Sequence, residues 1–364
     1  MTPARIGFSS ALCLALLTGE ALADESRFAG LRLNQLQLIG THNSYKRRID
    51  PPLLKKMIAL SSKARELDYS HRPLTEQLNM GLRGLEIDIY YDPEGGRFAS
   101  PKGLAMLRSA GEPAEPYDPN GELRSPGFKV IHIADVDYRS WNLSFEGALQ
   151  ELRTWSEANP GHLPVIVTVN LKEERAKLPG AVEPVPYDAT AMDALDAVLR
   201  EQLGEDRLLT PDRVRGDAPT LEAAVLKRGW PLLDDLRGRF LWVIDESDSK
   251  RDLYLEGHPS LRGRVMFTTS PAGTPEAAVM IINNPHRVGK AIRKRVAQGY
   301  LVRTRADAGT SEARSGDTSR REAAMASGAH VISTDFPYDE DRFGTGYRVR
   351  FPDGYTRKNP HTTE

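Results

Sequence analysis

The regular alternation of short apolar runs with amphipathic stretches is the feature that most constrains the fold. Eight runs rich in β-branched and aliphatic residues are typical of strands buried on both faces. They lie at 36–41, 84–91, 128–134, 163–171, 239–245, 264–270, 300–306 and 330–336. A further run at 277–284 is also typical of a strand, so two segments compete for the sixth position.

The stretches between these runs have the period and the boundaries of helices. Ser144 and Asp188 each precede such a stretch, as helix N-cap residues do, and Gly204 ends the second one. Further helical stretches follow at 220–238, 286–299 and 317–328. Eight strands, most of them separated by helices, predict a closed parallel (β/α)8 TIM barrel, with an open doubly wound sheet as the alternative.

The N-terminus has the features of a secretory signal peptide. Arg5 provides a positive charge, 6–17 is a short apolar run, and a small-x-small pattern ends at Ala23. We therefore predict cleavage after Ala23, export to the periplasm or the medium, and one catalytic domain over 24–364. The single cysteine, Cys13, falls in the leader, so the mature chain is predicted to lack disulfides.

The charge balance excludes some classes of partner. The 49 basic and 50 acidic residues give a net charge of −1, which is not the balance of a nucleic-acid-binding protein. After the leader, no stretch is apolar and long enough to span a membrane.

We expect the protein to be a monomer. The basic stretch 286–299 allows transient contact with an anionic membrane surface, although a solvated outer helix explains it equally well.

Polar side chains recur where the predicted strands end, which is the edge where parallel barrels carry out chemistry. Each of these side chains, taken alone, could have a purely structural role. Their recurrence on successive strands favours a shared functional site. Glu86 and Asp88 lie two positions apart and therefore on one face of their strand. The other candidates at strand ends are His42, Asn43, His132, Asn170, Lys172, Arg305 and Asp335.

These residue types predict a metal-assisted acid/base reaction. Glu86 and Asp88 on an apolar strand need a cation or strong donors, because an unpaired buried charge is costly. Oxygen donors without a cysteine or multi-histidine cluster suit Ca²⁺, or alternatively Mg²⁺, better than Zn²⁺. Two histidines beside such a metal suit cleavage of a phosphodiester, with Lys172 or Arg305 balancing charge on the phosphoryl oxygens.

Several motifs resemble a known family. "IGTHNSY", "YSHRPLTEQLNMGLRGLEIDIYYDP", "FKVIHIADVDYRS", "ANPGHLPVIVTVNLK" and "YLVRTRADA…GAHVISTDFP" are similar to the secreted calcium-dependent phosphoinositide-specific phospholipase C family of bacteria and fungi. This family belongs to the superfamily of PLC-like phosphodiesterases. The resemblance runs in matching order from about 35 to 337, and it implies a TIM barrel of the PLC-like phosphodiesterase type.

The resemblance also implies roles for the two histidines. The histidine of "THNSY" is His42, which is expected to remove the proton of the inositol 2-hydroxyl. The histidine of "VIHIADVD" is His132, which is expected to protonate the diacylglycerol oxygen. Attack by the neighbouring hydroxyl would give an inositol cyclic phosphate, with hydrolysis as an optional second step. Lys172 matches a position that holds phosphate, and Asp335 is a candidate for orienting a histidine or binding substrate.

The implied calcium ligands are Asn43, Glu86 and Asp88, and the sequence departs from the family at a fourth position. Where relatives have an acidic residue two positions before the lysine, this chain has Asn170. An asparagine still offers a carbonyl oxygen, but the site loses one negative charge. We predict weaker calcium binding than in a relative with the acid, because ligand charge tunes calcium affinity. Arg305 is expected either to contact inositol hydroxyls or to pair with Asp307.

Two other functions compete with a phospholipase C. A glycerophosphodiester phosphodiesterase or a phospholipase D-like enzyme would use the same barrel, but such enzymes typically carry His-Arg-Gly where this chain has His42 followed by Asn-Ser. A non-catalytic secreted barrel that binds lipid or sugar is the third possibility, since fold alone does not establish function. The presence of both histidines and the acids argues against it.

Overall fold

The strands of the computed structural model, which describes residues 25–362, form one ten-stranded sheet. Strands are buried on both faces where helices cover the barrel, and every residue of the first and fifth strands is buried. The strands are β1 (Leu36–Thr41), β2 (Gly84–Asp92), β3 (Gly127–Val130), β4 (Val165–Lys172), β5 (Phe240–Ile244), β6 (Phe267–Thr268), β7 (Val279–Ile281), β8 (Leu301–Arg305), β9 (Val331–Thr334) and β10 (Thr356–Lys358).

Eight of these strands run parallel and form a barrel. Neighbouring strands follow the order β6-β5-β4-β2-β1-β9-β8-β7. A parallel bridge between Thr269 and Val279 joins the two ends of that path. β10 pairs antiparallel with the start of β1 and lies outside the barrel. The predicted (β/α)8 barrel is confirmed.

One of the predicted barrel strands is wrong. The run 128–134 yields only β3, which is antiparallel to β2, with Ile89 opposite Val130. With β3 outside the barrel, the run 264–270 gives the fifth barrel strand in chain order, β6, and the run 277–284 gives the sixth, β7. Both segments that competed for the sixth position are therefore strands. An apolar run indicates that a strand is buried. It does not give the direction of the strand, which depends on the path of the chain that leads into it.

The helices lie between the strands and cover the barrel. They are α1 (Pro51–Leu60), α2 (Leu74–Asn79), α3 (Lys102–Ser109), α4 (Phe145–Ala158), α5 (Ala189–Leu203), α6 (Pro211–Arg215), α7 (Leu221–Lys227), α8 (Asp248–Leu255), α9 (Pro285–Gln298), α10 (Ser311–Ser315) and α11 (Ser319–Ala326). As predicted, Ser144 and Asp188 cap α4 and α5 by accepting bonds from backbone N–H groups one turn later. Within residues 25–362, no helix is long and apolar enough to cross a membrane.

The main core lies between the barrel and its helices. Phe145 of α4 meets Trp242 of β5 edge to face, with ring centroids 5.7 Å apart. A second apolar cluster joins α1 and α3 to the segment after β3, and it includes Leu53, Leu107 and Tyr138. This second cluster fixes the segment that carries His132. The predicted leader, residues 1–23, lies outside the described residues.

Candidate active site

A cavity of about 340 Å³ opens at the carboxyl ends of the barrel strands, and its wall is almost entirely polar. Most of the predicted site residues line this cavity, namely His42, Asn43, Glu86, Asp88, His132, Asn170, Lys172 and Arg305. Asp335 lies behind His42 rather than in the wall, with an exposed fraction of only 2%. The structure thus places Asp335 where it orients a histidine, the first of its two predicted roles.

A buried polar network shapes the turn that follows β1. The hydroxyl groups of Thr41 and Ser44 lie 2.6 Å apart, and Gln77 accepts a bond from Thr41 and donates one to the Ser44 carbonyl. The Ser44 hydroxyl also accepts from the backbone N–H of Glu86 at 2.8 Å. Asn43 occupies the left-handed region, with φ at +52°, which asparagine tolerates better than most residues. The turn therefore delivers two consecutive side chains to the cavity.

His42 is held from behind by a carboxylate. Its Nδ1 lies 2.8 Å from Oδ1 of Asp335, so Nδ1–H donates and Nε2 faces the cavity, 3.6 Å from Glu86. Arg305 lies against the same ring, with Nη1 3.3 Å from Nε2 and Nη2 3.3 Å from Asp335. Burial alone would raise the pKa of Asp335, but His42, His71 and Arg305 hold it well below its usual range.

His132 has the same arrangement, although it lies in a turn beyond β3. Its Nδ1 is 2.7 Å from Oδ2 of Asp137, whose other oxygen lies 3.2 Å from Nζ of Lys46. The turn closes through a bond from the Asp137 backbone N–H to the carbonyl of Ile133, with Asp135 in the left-handed region. Burial favours the neutral acid, yet Lys46 and His132 lower the pKa of Asp137 below its ordinary value.

The two histidines form a pair suited to proton transfer. Each imidazole is bound to a buried carboxylate through Nδ1, which fixes the ring and directs Nε2 to the cavity side. The Nε2 of His42 also lies within hydrogen-bond distance of Arg305, which a substrate hydroxyl would have to replace as its partner. One ring can therefore accept a proton while the other donates one, if a substrate lies between them.

The predicted metal ligands come together on adjacent strands. Asp88 of β2 and Asn170 of β4 are in register, and Glu86 lies two residues earlier on β2. Asn170 donates from Nδ2 to Glu86 at 2.9 Å and to Asp88 at 2.7 Å. In this orientation Asn170 holds the two acids together, and a 180° rotation of its amide would present the oxygen instead.

The donor set fits a hard cation. Asn43 donates from Nδ2 to Tyr69 at 2.7 Å, while its buried Oδ1 has no hydrogen-bond partner among the described residues. An orphaned amide oxygen beside two carboxylates is what a bound Ca²⁺ or Mg²⁺ would satisfy. Within residues 25–362, no three His, Cys, Asp or Glu side chains form a metal site by themselves. The amide oxygens are therefore needed to complete the ligand set.

Lys172 supplies positive charge on the side of the cavity formed by β4. Its Nζ lies 3.6 Å from Asp88 and 3.7 Å from Glu174. Burial alone would lower the pKa of Lys172, but these two carboxylates raise it above its ordinary value. The side chain is therefore a stable cation that faces the cavity.

Four charged residues of the cavity wall were not assigned to the site from the sequence, namely Glu174, Asp245, Glu246 and Arg303. Arg303 of β8 pairs with Glu86, donates to Asn283 at 2.6 Å and lies 3.8 Å from Asp245. Asp245 directly follows β5. Burial raises its pKa to about 7; Arg303 opposes this rise, and the neighbouring acids add to it. Arg303 and Asp245 could have been found from the sequence, because both lie near the carboxyl ends of strands, as the predicted site residues do.

Fold and site together define a (β/α)8-barrel enzyme whose cavity combines two carboxylate-bound histidines with a candidate cation site. A family model described as "Phosphoinositide phospholipase C, Ca2+-dependent" matches residues 31–360. The chain belongs to this family, and it is therefore a phosphoric diester hydrolase of the phospholipase C type, as its motifs predicted. A search of curated proteins found no match.

Solved structures share the same fold. The calcium-dependent phosphoinositol-specific phospholipase C of a Pseudomonas species, solved as a myo-inositol complex, has a TM-score of 0.54 and 14% identity. That match covers 91% of this chain and 97% of the Pseudomonas chain. The calcium-dependent phosphatidylinositol-specific phospholipase C of Streptomyces antibioticus has a TM-score of 0.51 and 17% identity, covering 84% of this chain and 95% of its own. At these identities the likeness shows the fold alone.

Proposed function

We propose that the protein cleaves phosphatidylinositol or a related inositol phosphodiester by attack of the inositol 2-hydroxyl on phosphorus. The observation that carries this proposal is the matched pair of histidines, His42 and His132, each held through Nδ1 by a buried carboxylate and each lining one cavity. The motifs of the family support the same assignment. A glycerophosphodiester phosphodiesterase remains the alternative on this barrel.

In this reaction His42 acts as the base. Its Nε2 accepts the proton of the 2-hydroxyl as the oxygen attacks phosphorus, and the Asp335 carboxylate stabilises the imidazolium that forms. Asp335 stays ionised because the pKa of its carboxyl group lies below the usual range. The product would be an inositol cyclic phosphate.

His132 acts as the acid. As an imidazolium it donates its Nε2 proton to the glycerol oxygen as the bond from that oxygen to phosphorus breaks. Asp137 favours this charged form, and Lys46 in turn keeps Asp137 ionised. If the cyclic phosphate is hydrolysed, the two histidines exchange roles.

Asn43, Glu86 and Asp88 would hold the cation, with Asn170 contributing after rotation of its amide. Bound Ca²⁺, the cation named in the family description, would offset the negative charge that develops on the phosphoryl oxygens. Lys172 would donate a charge-assisted hydrogen bond to the same phosphate, and Arg305 would bind substrate beside His42.

The polarity of the cavity defines which part of the lipid enters. Its wall offers charged and amide groups to an inositol phosphate and very little apolar surface for acyl chains. The diacylglycerol portion would therefore stay at the membrane, and the enzyme, as a monomer, would contact the membrane surface transiently.

Phosphorus NMR of the products tests the reaction. With phosphatidylinositol vesicles and calcium, we expect the resonance of an inositol cyclic phosphate, and we expect it to disappear with a chelator. Release of glycerol 3-phosphate from glycerophosphoinositol would support the alternative enzyme. Absence of any turnover at saturating calcium would reject a catalytic function.

Export of the protein is a separate proposal. The segment ending at Ala23 has the charge, apolar run and cleavage pattern of a secretory leader. Mass spectrometry of protein recovered from the periplasm or the medium should find a mature N-terminus at Asp24. Full-length protein confined to the cytoplasm would contradict the proposal.

A further inference from the structure

Asp245 is one of three polar residues that lie side by side on adjacent barrel strands. Asp88 of β2 is in register with Asn170 of β4. Val169 is in register with Ile244 of β5, and the next residue, Asp245, donates its backbone N–H to the Val169 carbonyl at 2.8 Å. Paired residues on parallel strands point to the same side, so Asp88, Asn170 and Asp245 form a row that lines the cavity.

The Asp245 carboxylate is poorly compensated for a group in this position. Its side chain is 20% exposed, and within residues 25–362 its one ion pair is with Arg303 at 3.8 Å. Arg303 is in closer contact with Glu86. No side-chain hydrogen bond to the Asp245 carboxylate is formed by the described residues. A largely buried carboxylate with one distant, shared partner is costly unless another cation is present.

A second, independent observation indicates a cation in the same cavity. Asn43 is 1% exposed, lines the same cavity from β1, and its Oδ1 has no partner among the described residues. An amide oxygen without a donor and three carboxylates that line the same cavity are the types of ligand that a hard cation takes. Protein donors already reach Glu86 and Asp88, whereas among the described residues Asp245 has only the shared Arg303 and the Asn43 oxygen has no donor.

We propose that Asp245 is a ligand of the cation and supplies the carboxylate that Asn170 does not. This inference rests on the cation of the proposed function. Because no three acidic or histidine side chains among residues 25–362 form a metal site as they stand, the Asp245 side chain would have to turn towards the cation as it binds. It would then join Glu86 and Asp88, which the amide of Asn170 holds in place. The lower affinity expected from Asn170 alone is offset by the acid on the next strand.

Calorimetric titration with calcium, without substrate, tests this assignment. Asp245→Asn should weaken calcium binding by about tenfold or more, because calcium affinity follows ligand charge. Glu246→Gln is the matched control. This substitution removes the same charge from the same cavity wall, but Glu246 already pairs with Lys250 at 2.7 Å. The calcium affinity of the Glu246→Gln variant should therefore stay within about threefold of wild type.

A double variant distinguishes direct coordination of calcium by Asp245 from a purely electrostatic effect of its negative charge. Asn170→Glu placed in the Asp245→Asn protein moves the carboxylate by one strand and should restore most of the lost affinity. Asp245→Asn that binds calcium like wild type would overturn the inference. Equal weakening by Glu246→Gln would do the same, since the charge alone would then explain the effect.

The folded state of each variant is checked separately. Without calcium, Asp245→Asn should be at least as stable as wild type, because it removes a carboxylate that its neighbours repel. If this variant fails to fold, Asp245→Ser provides the second test, with the same expected loss of calcium affinity. Its unchanged affinity would equally reject ligation.

Product analysis keeps this inference separate from the proposed reaction. Cyclic inositol phosphate formed by wild type, together with unchanged calcium affinity in Asp245→Asn, would reject the ligand and leave the reaction intact. Weakened calcium binding in that variant, with no cyclic product from wild type, would support the ligand and reject the reaction. A wild-type protein that binds no calcium would overturn the inference.

Discussion

Lys46 and Asp137 form an ion pair that is wholly buried, with Nζ 3.2 Å from Oδ1. Asp137 holds the ring of His132, and Lys46 follows His42 by four residues. Lys46 also donates to the carbonyl of Tyr69 at 3.0 Å. The support of one histidine is thus fastened to the segment that delivers the other, so the two rings are positioned together.

Removing Lys46 should therefore affect both stability and catalysis. Lys46→Met leaves Asp137 buried with only His132 to compensate it, and we expect a loss of about 3–5 kcal/mol in the free energy of unfolding. We also expect a lower kcat, because the ring of His132 loses its fixed support. Urea unfolding and initial rates measure the two effects. Arg153→Met, from an exposed pair with Glu157, is the control and should change neither.

The two histidines should each be required for turnover. His42→Ala and His132→Ala should each lower kcat by about 10²–10⁴-fold, the usual contribution of a positioned acid or base. His361 is a suitable control because it follows β10, which pairs with the beginning of β1 at the opposite end of the barrel. Initial rates on phosphatidylinositol decide the matter, and equal activity in all three variants would contradict the two-histidine mechanism.

Asp307 should make stability depend on pH. Burial, followed by the nearby Asp335, raises the pKa of Asp307 to about 7, against about 3.9 in an unfolded chain. The folded state therefore retains a proton that the unfolded state releases. The contribution of this group to stability is complete below about pH 4 and is lost as the pH rises towards 7.

The test is a series of urea midpoints between pH 4 and 8. The wild type should lose stability over this range more steeply than Asp307→Asn, in which the group cannot ionise. Asp353→Asn, at an exposed position, should keep the wild-type slope. Parallel slopes for wild type and Asp307→Asn would show that Asp307 does not titrate in this window.

Asn170→Glu should tighten calcium binding. The change adds a carboxylate between Asp88 and Asp245 and removes the amide that donates to Glu86 and Asp88. We expect an affinity gain of about tenfold and a less stable protein without calcium, because the carboxylates then repel one another. Calorimetry and thermal unfolding with and without calcium measure both. Unchanged calcium dependence of activity would reject a role for this position.

Much of the fold and site could be predicted from local patterns. The spacing and order of residue types predict the buried strands and the polar residues at strand ends. They also predict helix caps such as Ser144 and Asp188. Because a parallel barrel brings all strand ends to one edge, the position of a residue along its own strand is enough to place it at the cavity. His42 and Glu86 are predictable for this reason.

Only the tertiary structure decided which groups face each other. The direction of β3, the position of Asp335 behind His42, and the buried pair of Lys46 and Asp137 depend on segments far apart in the chain. A local pattern records burial and period, but not the partner of a charge, because the partner is set by strand register and by the path of the connecting loops. The sequence thus determined which side chains reach the cavity. The packing of the barrel decided that each histidine has its own carboxylate and that Asp245 stands beside Asn170.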